Sequence, residues 1–190
     1  MFGGMIARHP AWETRMVIAL IILAIIVVAL LIVISTRPNS FRLERTTRIA
    51  APPERVFPLI NDFHEWPKWS PFEKLDTDLK RTYSGAPSGV GAGYAWDGKN
   101  AGAGAMEITQ STPSSRILIK LDFTKPFEAH NTADFTIASD GGGSVVTWAM
   151  YGPQGFMNKA MSLVMSMDKL VGGQFDEGLA NLKRVSETPA

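Results

Sequence analysis

From Met16 to Ile34 the chain reads MVIALIILAIIVVALLIVI, an apolar run without a charge, amide or glycine. Its length approaches the ~20 apolar residues that cross a ~30 Å hydrocarbon core. A lone segment in lipid satisfies its backbone groups only as a helix, so the β-branched residues here do not argue for strands. The run exceeds the ~7–15 residues of a signal-peptide core. Only Ser35, Thr36, Arg37 and Pro38 follow it, with no small-residue cleavage pattern. A retained single-pass transmembrane helix over 16–34 is the expectation, with an unusual signal sequence as the alternative and a buried soluble helix as the weakest reading. Residues 1–15 then form an N-terminal tail and 35–40 a linker.

Beyond the linker the pattern changes to alternation. Phe41, Leu43, Arg45, Thr47 and Ile49 alternate with Arg42, Glu44, Thr46 and Arg48, which predicts a first strand. Ala51-Pro52-Pro53 opens a helix with Val56, Phe57 and Ile60 on one face. Pro67 and Pro71 interrupt 62–72, leaving a short helix or loop there. Six strand-like segments follow, at 79–83, 94–96, 105–110, 116–123, 128–138 and 144–151, bounded by Gly, Pro, Ser or Asp. Ile117, Ile119, Leu121 and Phe123 share one face of their strand, and Val146, Trp148 and Met150 share one face of theirs. One-sided strands joined by short turns predict an antiparallel sheet with one covered face.

The cover is 156–185. At 100° per residue its apolar positions, from Met157 through Val171 and Phe175 to Val185, gather in one arc. A long amphipathic helix interrupted at Gly172-Gly173 is expected. The fold class is therefore α+β, with about six to seven strands, two short N-terminal helices and a long C-terminal helix after one transmembrane helix. One long helix laid across a curved sheet encloses an apolar cavity more readily than a solid core.

Charge and composition narrow the function. Lys+Arg number 19 against 18 Asp+Glu, a net charge of +1, which lacks the basic excess of a nucleic-acid binder and the acidity of a disordered chain. Cysteine is absent, which removes disulfides, a thiol nucleophile and Cys-ligated metal. Arg8 and Arg15 precede the apolar run, whereas Arg37, Arg42, Arg45 and Arg48 follow it. A literal positive-inside count favours a cytoplasmic C-terminal domain, but without the strand residues Arg45 and Arg48 the counts are near even.

Several stretches resemble one family. Ile49-Ala-Ala-Pro-Pro-Glu-Arg-Val-Phe57 and Trp66-Pro-Lys-Trp-Ser-Pro71 are similar to the N-terminal signature of the START-like (SRPBCC) superfamily. Val146-Thr-Trp148 and Phe175-Asp-Glu-Gly-Leu-Ala-Asn-Leu-Lys183 resemble its polyketide cyclase/dehydrase-like branch. The resemblance spans Phe41 to Val185 and implies a Bet v 1-like helix-grip domain over 41–186, with a short tail at 187–190. It also implies a hydrophobic small molecule or lipid as ligand, since members bind such molecules and only some are enzymes. The preceding apolar run departs from the commonest soluble members.

Candidate chemistry is sparse. There is no Gly-x-Ser-x-Gly elbow, and the three histidines, His9, His64 and His130, read as surface or structural residues. No His-Glu-x-x-His spacing suggests a metal, and Gly91-Ala-Gly93 lacks the context of a dinucleotide site. No cofactor and no catalytic residue are called for. Trp66, Trp69, Trp96 and Trp148 are either core and lid packing or the lining of an apolar ligand site, and Met150 shares the face of Trp148. Met157, Met161 and Met165 on the covering helix are either core filler or an adaptable cavity wall. Asp168 falls inside the apolar arc, so it is either an ion-pair partner for an Arg or Lys, or a polar anchor inside the cavity.

The expected function is a membrane-tethered domain binding a hydrophobic small molecule or lipid between sheet and C-terminal helix. A cyclase/aromatase- or dehydratase-like enzyme is the alternative, and a protein-interaction module a second. Oligomeric state has no signature in the sequence.

Overall fold

A computed structural model of the chain describes residues 11–163 and 166–188. The apolar run lies in helix α1 (Ala11–Ser35), whose Arg15–Ser35 portion is long and apolar enough to cross a membrane. Its described side chains stand exposed except near its end, where Ile34 is buried.

Every segment expected to be a strand forms one. The strands are β1 (Ser40–Ile49), β2 (Lys80–Gly85), β3 (Ala92–Asp97), β4 (Ala103–Thr112), β5 (Arg116–Lys125), β6 (Ala129–Asp140) and β7 (Gly143–Pro153). They make one antiparallel sheet in the order β1-β7-β6-β5-β4-β3-β2, in which β2 to β7 run as a meander and β1 adds to the far edge. Register shifts between β4 and β5 at Ala103/Gly104 and Ile108/Gln110 interrupt the ladder, and such bulges bend a sheet. The concave face is the apolar face of the alternation.

Helix α2 (Pro53–Asn61) starts on a proline at its first turn and buries Val56 and Ile60 against the sheet. The proline-broken stretch after it forms two 3₁₀ turns, Phe63–Lys68 and Pro71–Lys74. These turns are tied down by two indoles. Trp66 Nε1 donates to the Ile60 carbonyl at 3.0 Å and Trp69 Nε1 to the Leu59 carbonyl at 2.8 Å. Both acceptors belong to the last turn of α2, where carbonyls have no intrahelical partner.

The C-terminal cover differs from expectation in one respect. It breaks between α3 (Phe156–Met161) and α4 (Met167–Glu187), and α4 runs unbroken through Gly172-Gly173. Ser166 restarts the helix, its hydroxyl accepting from the Lys169 N–H as a good N-cap does. The glycines serve close approach instead. A Cβ on Gly172 would stand 2.8 Å from Arg45 Nη2, and one on Gly178 would stand 2.7 Å from Trp148 Cζ3. The architecture is a helix-grip: a curved seven-stranded sheet with α4 across its concave face.

The junction with α1 is compact. Gln154 N–H donates to the Asn39 carbonyl at 2.8 Å and Lys159 Nζ to Asn39 Oδ1 at 2.5 Å, while α3 lies against α1. Arg42, Arg45 and Arg48 lie in β1 and pair with Glu44, with Asp168 and Asp176, and with Asp140. These arginines pair within the folded domain, and without them the positive-inside count no longer favours a cytoplasmic C-terminal domain.

Candidate functional site: an apolar cavity under the grip helix

Along β5 the inward side chains run Ile117, Ile119, Leu121, Phe123. The first two are fully buried, packed with Val56 and Ile60 of α2 and Leu182 of α4. Toward Leu121 and Phe123 the filling stops, and a cavity of about 270 Å³ lies between sheet and α4. That volume is just under the ~300 Å³ at which sites for drug-sized ligands begin. The sheet supplies Tyr94, Trp96, Met106, Leu121, Phe123, Ala133, Trp148 and Met150 to its wall. Helix α4 adds Val171, Gln174 and Phe175, and the 3₁₀ segment adds Trp66, Ser70, Phe72 and Glu73, with Leu75, Leu79 and Ala101 completing the lining. A wider depression of about 550 Å³, lined by Asn39, Asp122, His130 and Tyr151 among others, is more open to solvent than the cavity under α4.

Aromatic rings set the shape of the cavity under α4. Trp148 stacks on Phe175 at 4.0 Å and on Phe135 at 5.0 Å, so strand, helix and core share one stack. Trp96 meets Phe123 edge-on at 5.6 Å and stacks with Tyr94 at 6.2 Å. Such offset and edge contacts add to area burial and hold ring orientation.

The ionisable groups of the wall are spent on one another. The Glu73 carboxylate is buried, and accepts from Arg81 Nε at 2.6 Å and from the Tyr94 hydroxyl at 2.6 Å. Arg81 Nη2 also donates to the Glu73 carbonyl at 2.9 Å. Burial first, then the hydrogen bond to Glu73, pushes the Tyr94 phenol far above its usual value. The phenol is thus held neutral with its only proton committed, and the carboxylate is neutralised by a guanidinium. At the edge of the cavity, Asp76 accepts from the backbone N–H of Asn100 and of Ala101, the latter at 2.8 Å. The Ala101 bond is the main reason its carboxyl is held below the usual carboxylate range.

Of the residues singled out in the sequence, Trp66, Trp96, Trp148 and Met150 line the cavity. Trp69 does not: it is fully buried behind them, edge-on to Phe135 and Trp148. Asp168 does not either. Its carboxylate is exposed and pairs with Arg45 of β1, which also binds Asp176 at 3.0 Å. The helical phase counted from Phe156 carries through the break before Ser166, so it misplaces Asp168, which opens α4 in its first turn. Met157 and Met161 fall in α3, their side chains are not among those described, and Met165 lies outside the described residues. His64 pairs with Asp62 at 2.7 Å and stacks on Tyr83, while His130 pairs with Asp122 at 2.8 Å. Neither lines the cavity.

Reading the sequence missed Ser70, Glu73 and Tyr94. Tyr94 was legible, because it shares the strand face of Trp96. Glu73 and Ser70 sit in the proline-broken stretch, where no period shows which way a side chain points.

The fold recurs widely among solved structures. Protein CV1439 from Chromobacterium violaceum superposes with a TM-score of 0.56 at 19% identity, covering 80% of this chain and all (100%) of its own. Aha1 from Colwellia psychrerythraea gives 0.56 at 13%, covering 77% and 96%. Ara h 8.0201 gives 0.51 at 11%, covering 78% and 95%. No curated protein is detectably similar in sequence. Residues 40–187, the whole of the sheet and its grip helix, match the family described as polyketide cyclase / dehydrase and lipid transport, and the chain belongs to that family.

Proposed function

We propose that this protein is a membrane-anchored binding domain that holds one hydrophobic small molecule, or a single lipid chain, between the sheet and α4. The observation that carries this reading is a partly open, largely apolar cavity in which the one acid and the one phenol among the described lining residues, Glu73 and Tyr94, are paired with each other and with Arg81. General acid–base catalysis needs a free acid or base within reach of the substrate, and a carrier does not. Trp66, Trp96, Trp148 and Met150 line the site in this reading. Residues 16–34 cross the bilayer, and 35–40 hold the domain at 41–186 within a few residues' reach of the headgroups, where apolar ligands partition.

The test is to purify the full chain in lipid nanodiscs, extract it with organic solvent and identify bound molecules by mass spectrometry. An Ala133→Leu variant, which fills the cavity from β6, serves as the reference for molecules that belong to the bilayer. The expected result is an apolar molecule near one-to-one with the wild type and absent from the variant. Identical extracts from both proteins, with or without added membrane lipids, would sink the carrier reading and turn attention to enzymatic and protein-partner assays.

A further inference from the structure

The register of the sheet fixes which strand ends lie together. Ser40 stands opposite Pro153, Phe123 opposite Ala129, Lys125 opposite Ala103, and Asp97 opposite both Ala103 and Lys80. These residues make one end of the sheet, and the cavity lies toward it. Met150, Phe123, Met106 and Trp96 of the wall all sit near the terminus of their strand on that side. The rim is there too. Leu75 lines the cavity and is exposed, and the neighbouring Asp76 accepts from the Asn100 and Ala101 N–H groups of the β3–β4 loop.

Helix α1 joins the domain at this same end. Only 36–39 separate it from β1, and the joint is not slack. Arg37 N–H donates to the Ile34 carbonyl at 3.2 Å, and Asn39 accepts from Gln154 and Lys159. The described side chains of α1 ahead of Ile34 are exposed, so the helix leads away from the sheet rather than folding back on it. Two large rings stand bare beside the joint. Phe127, in the β5–β6 turn, is 69% exposed, and Phe156, which opens α3 just after β7, is 55% exposed. Single exposed apolar residues need no explanation, but rings gathered at one end mark a surface that meets something apolar. The chain itself names the occupant, because the segment able to cross a bilayer ends only a few residues away. Charge at this end is mixed, with Lys80, Lys99 and Lys125 against Asp97 and Glu128, so the attraction is apolar rather than ionic.

We propose that this end of the domain is a membrane-docking surface, with Phe127 and Phe156 entering the lipid interface and the cavity rim turned toward the leaflet. The proposal rests on the anchored-carrier reading above and specifies its route. An apolar ligand then passes between leaflet and cavity without crossing water.

The chain has no cysteine, so single nitroxide labels can be placed on the full chain in phosphatidylcholine nanodiscs, one protein per disc. The sites are Phe127→Cys, Phe156→Cys, Ala24→Cys near the middle of α1, and Val90→Cys in the β2–β3 turn at the opposite end of the sheet. All four are exposed, so the labels leave the core intact. Accessibility to oxygen and to a water-soluble nickel complex reports the depth of each label. Labels at 127 and 156 should lie ~5–10 Å into the headgroup–acyl boundary and favour oxygen over nickel several-fold more than the label at 90. High salt should not release them, since screening acts on charges. The label at 24 should lie deep in hydrocarbon. Labels at 127 and 156 as open to nickel as the one at 90, with 24 still deep, overturn the docking surface and leave the anchored carrier intact. A label at 24 open to nickel overturns the anchor and the docking surface together. Shielding of 127 and 156 from both reagents places protein on this end and overturns the lipid assignment.

Discussion

One end of the concave face is solid and the other hollow, although the same alternation of apolar and polar residues writes both. At the solid end Ile108, Ile117, Ile119, Phe135 and Val146 are fully buried under Val56, Ile60 and Leu182. At the hollow end Met106, Leu121, Phe123 and Met150 face open space. On β6 the same face runs Ala133, Phe135, Ile137, so the side chain is smallest where the cavity lies. Period-2 patterning decides which face is covered, and side-chain volume together with the covering helices decides whether the cover closes. Stability and binding should therefore separate along a single sheet.

The largest effect should come from truncating matched phenylalanines at the two ends. Phe135→Ala removes a ring packed against Trp66, Trp69 and Trp148 and should cost about 3–5 kcal/mol in urea unfolding. Phe123→Ala removes a half-buried ring from a wall already open on one side and should cost about 1–2 kcal/mol, while weakening ligand binding about tenfold. Equal losses of stability would contradict the division into solid and hollow ends.

A smaller effect, of opposite sense, should follow from adding atoms. Gly178→Ala places a methyl 2.7 Å from a Trp148 ring carbon that stacking holds in place. Its gain of ~1 kcal/mol in helix propensity should be outweighed by overpacking of about 1–3 kcal/mol, for a net loss near 1 kcal/mol. Ala133→Leu adds three carbons at the hollow end and should leave thermal stability unchanged or raised, while abolishing binding. A marked loss of stability in Ala133→Leu would show that the cavity cannot be filled without strain.

The smallest effect concerns acid. Asp76 is held below the usual carboxylate range chiefly by the Ala101 N–H, at a loop whose Ala101 lines the hollow end. A carboxylate with a lowered folded pKa contributes stability that is present above the unfolded value of about 3.9 and is lost as pH falls through the folded one. Hydrogen exchange at Asn100 and Ala101, corrected for intrinsic rates, should stay slow at neutral pH and quicken only below about pH 4. The solid end should show no matching change at that step. Asp76→Asn should quicken exchange at the same two amides at neutral pH.

What the chain determines alone is periodic and local. The apolar run of α1, the strand alternation and the proline start of α2 follow from neighbours within one or two turns and are read correctly without coordinates, whereas the amphipathic cover is read as helical but with its break in the wrong place. The motif-bearing stretches around Pro53, Trp66 and Trp148 carried the family as well. Only the tertiary structure decided the rest. Whether Trp66 and Trp69 line a cavity depends on which reaches past the other, and both are anchored to the end of α2 by indole hydrogen bonds that no spacing announces. Asp168 turned outward because Ser166 restarted the helix and reset its phase, placing the carboxylate beside Arg45 across 123 residues of sequence separation. Glu73, Arg81 and Tyr94 converged from a 3₁₀ turn and two strands. A cavity is a place where side chains from distant segments fail to meet, and that failure is fixed by register, bulges and ring packing acting together.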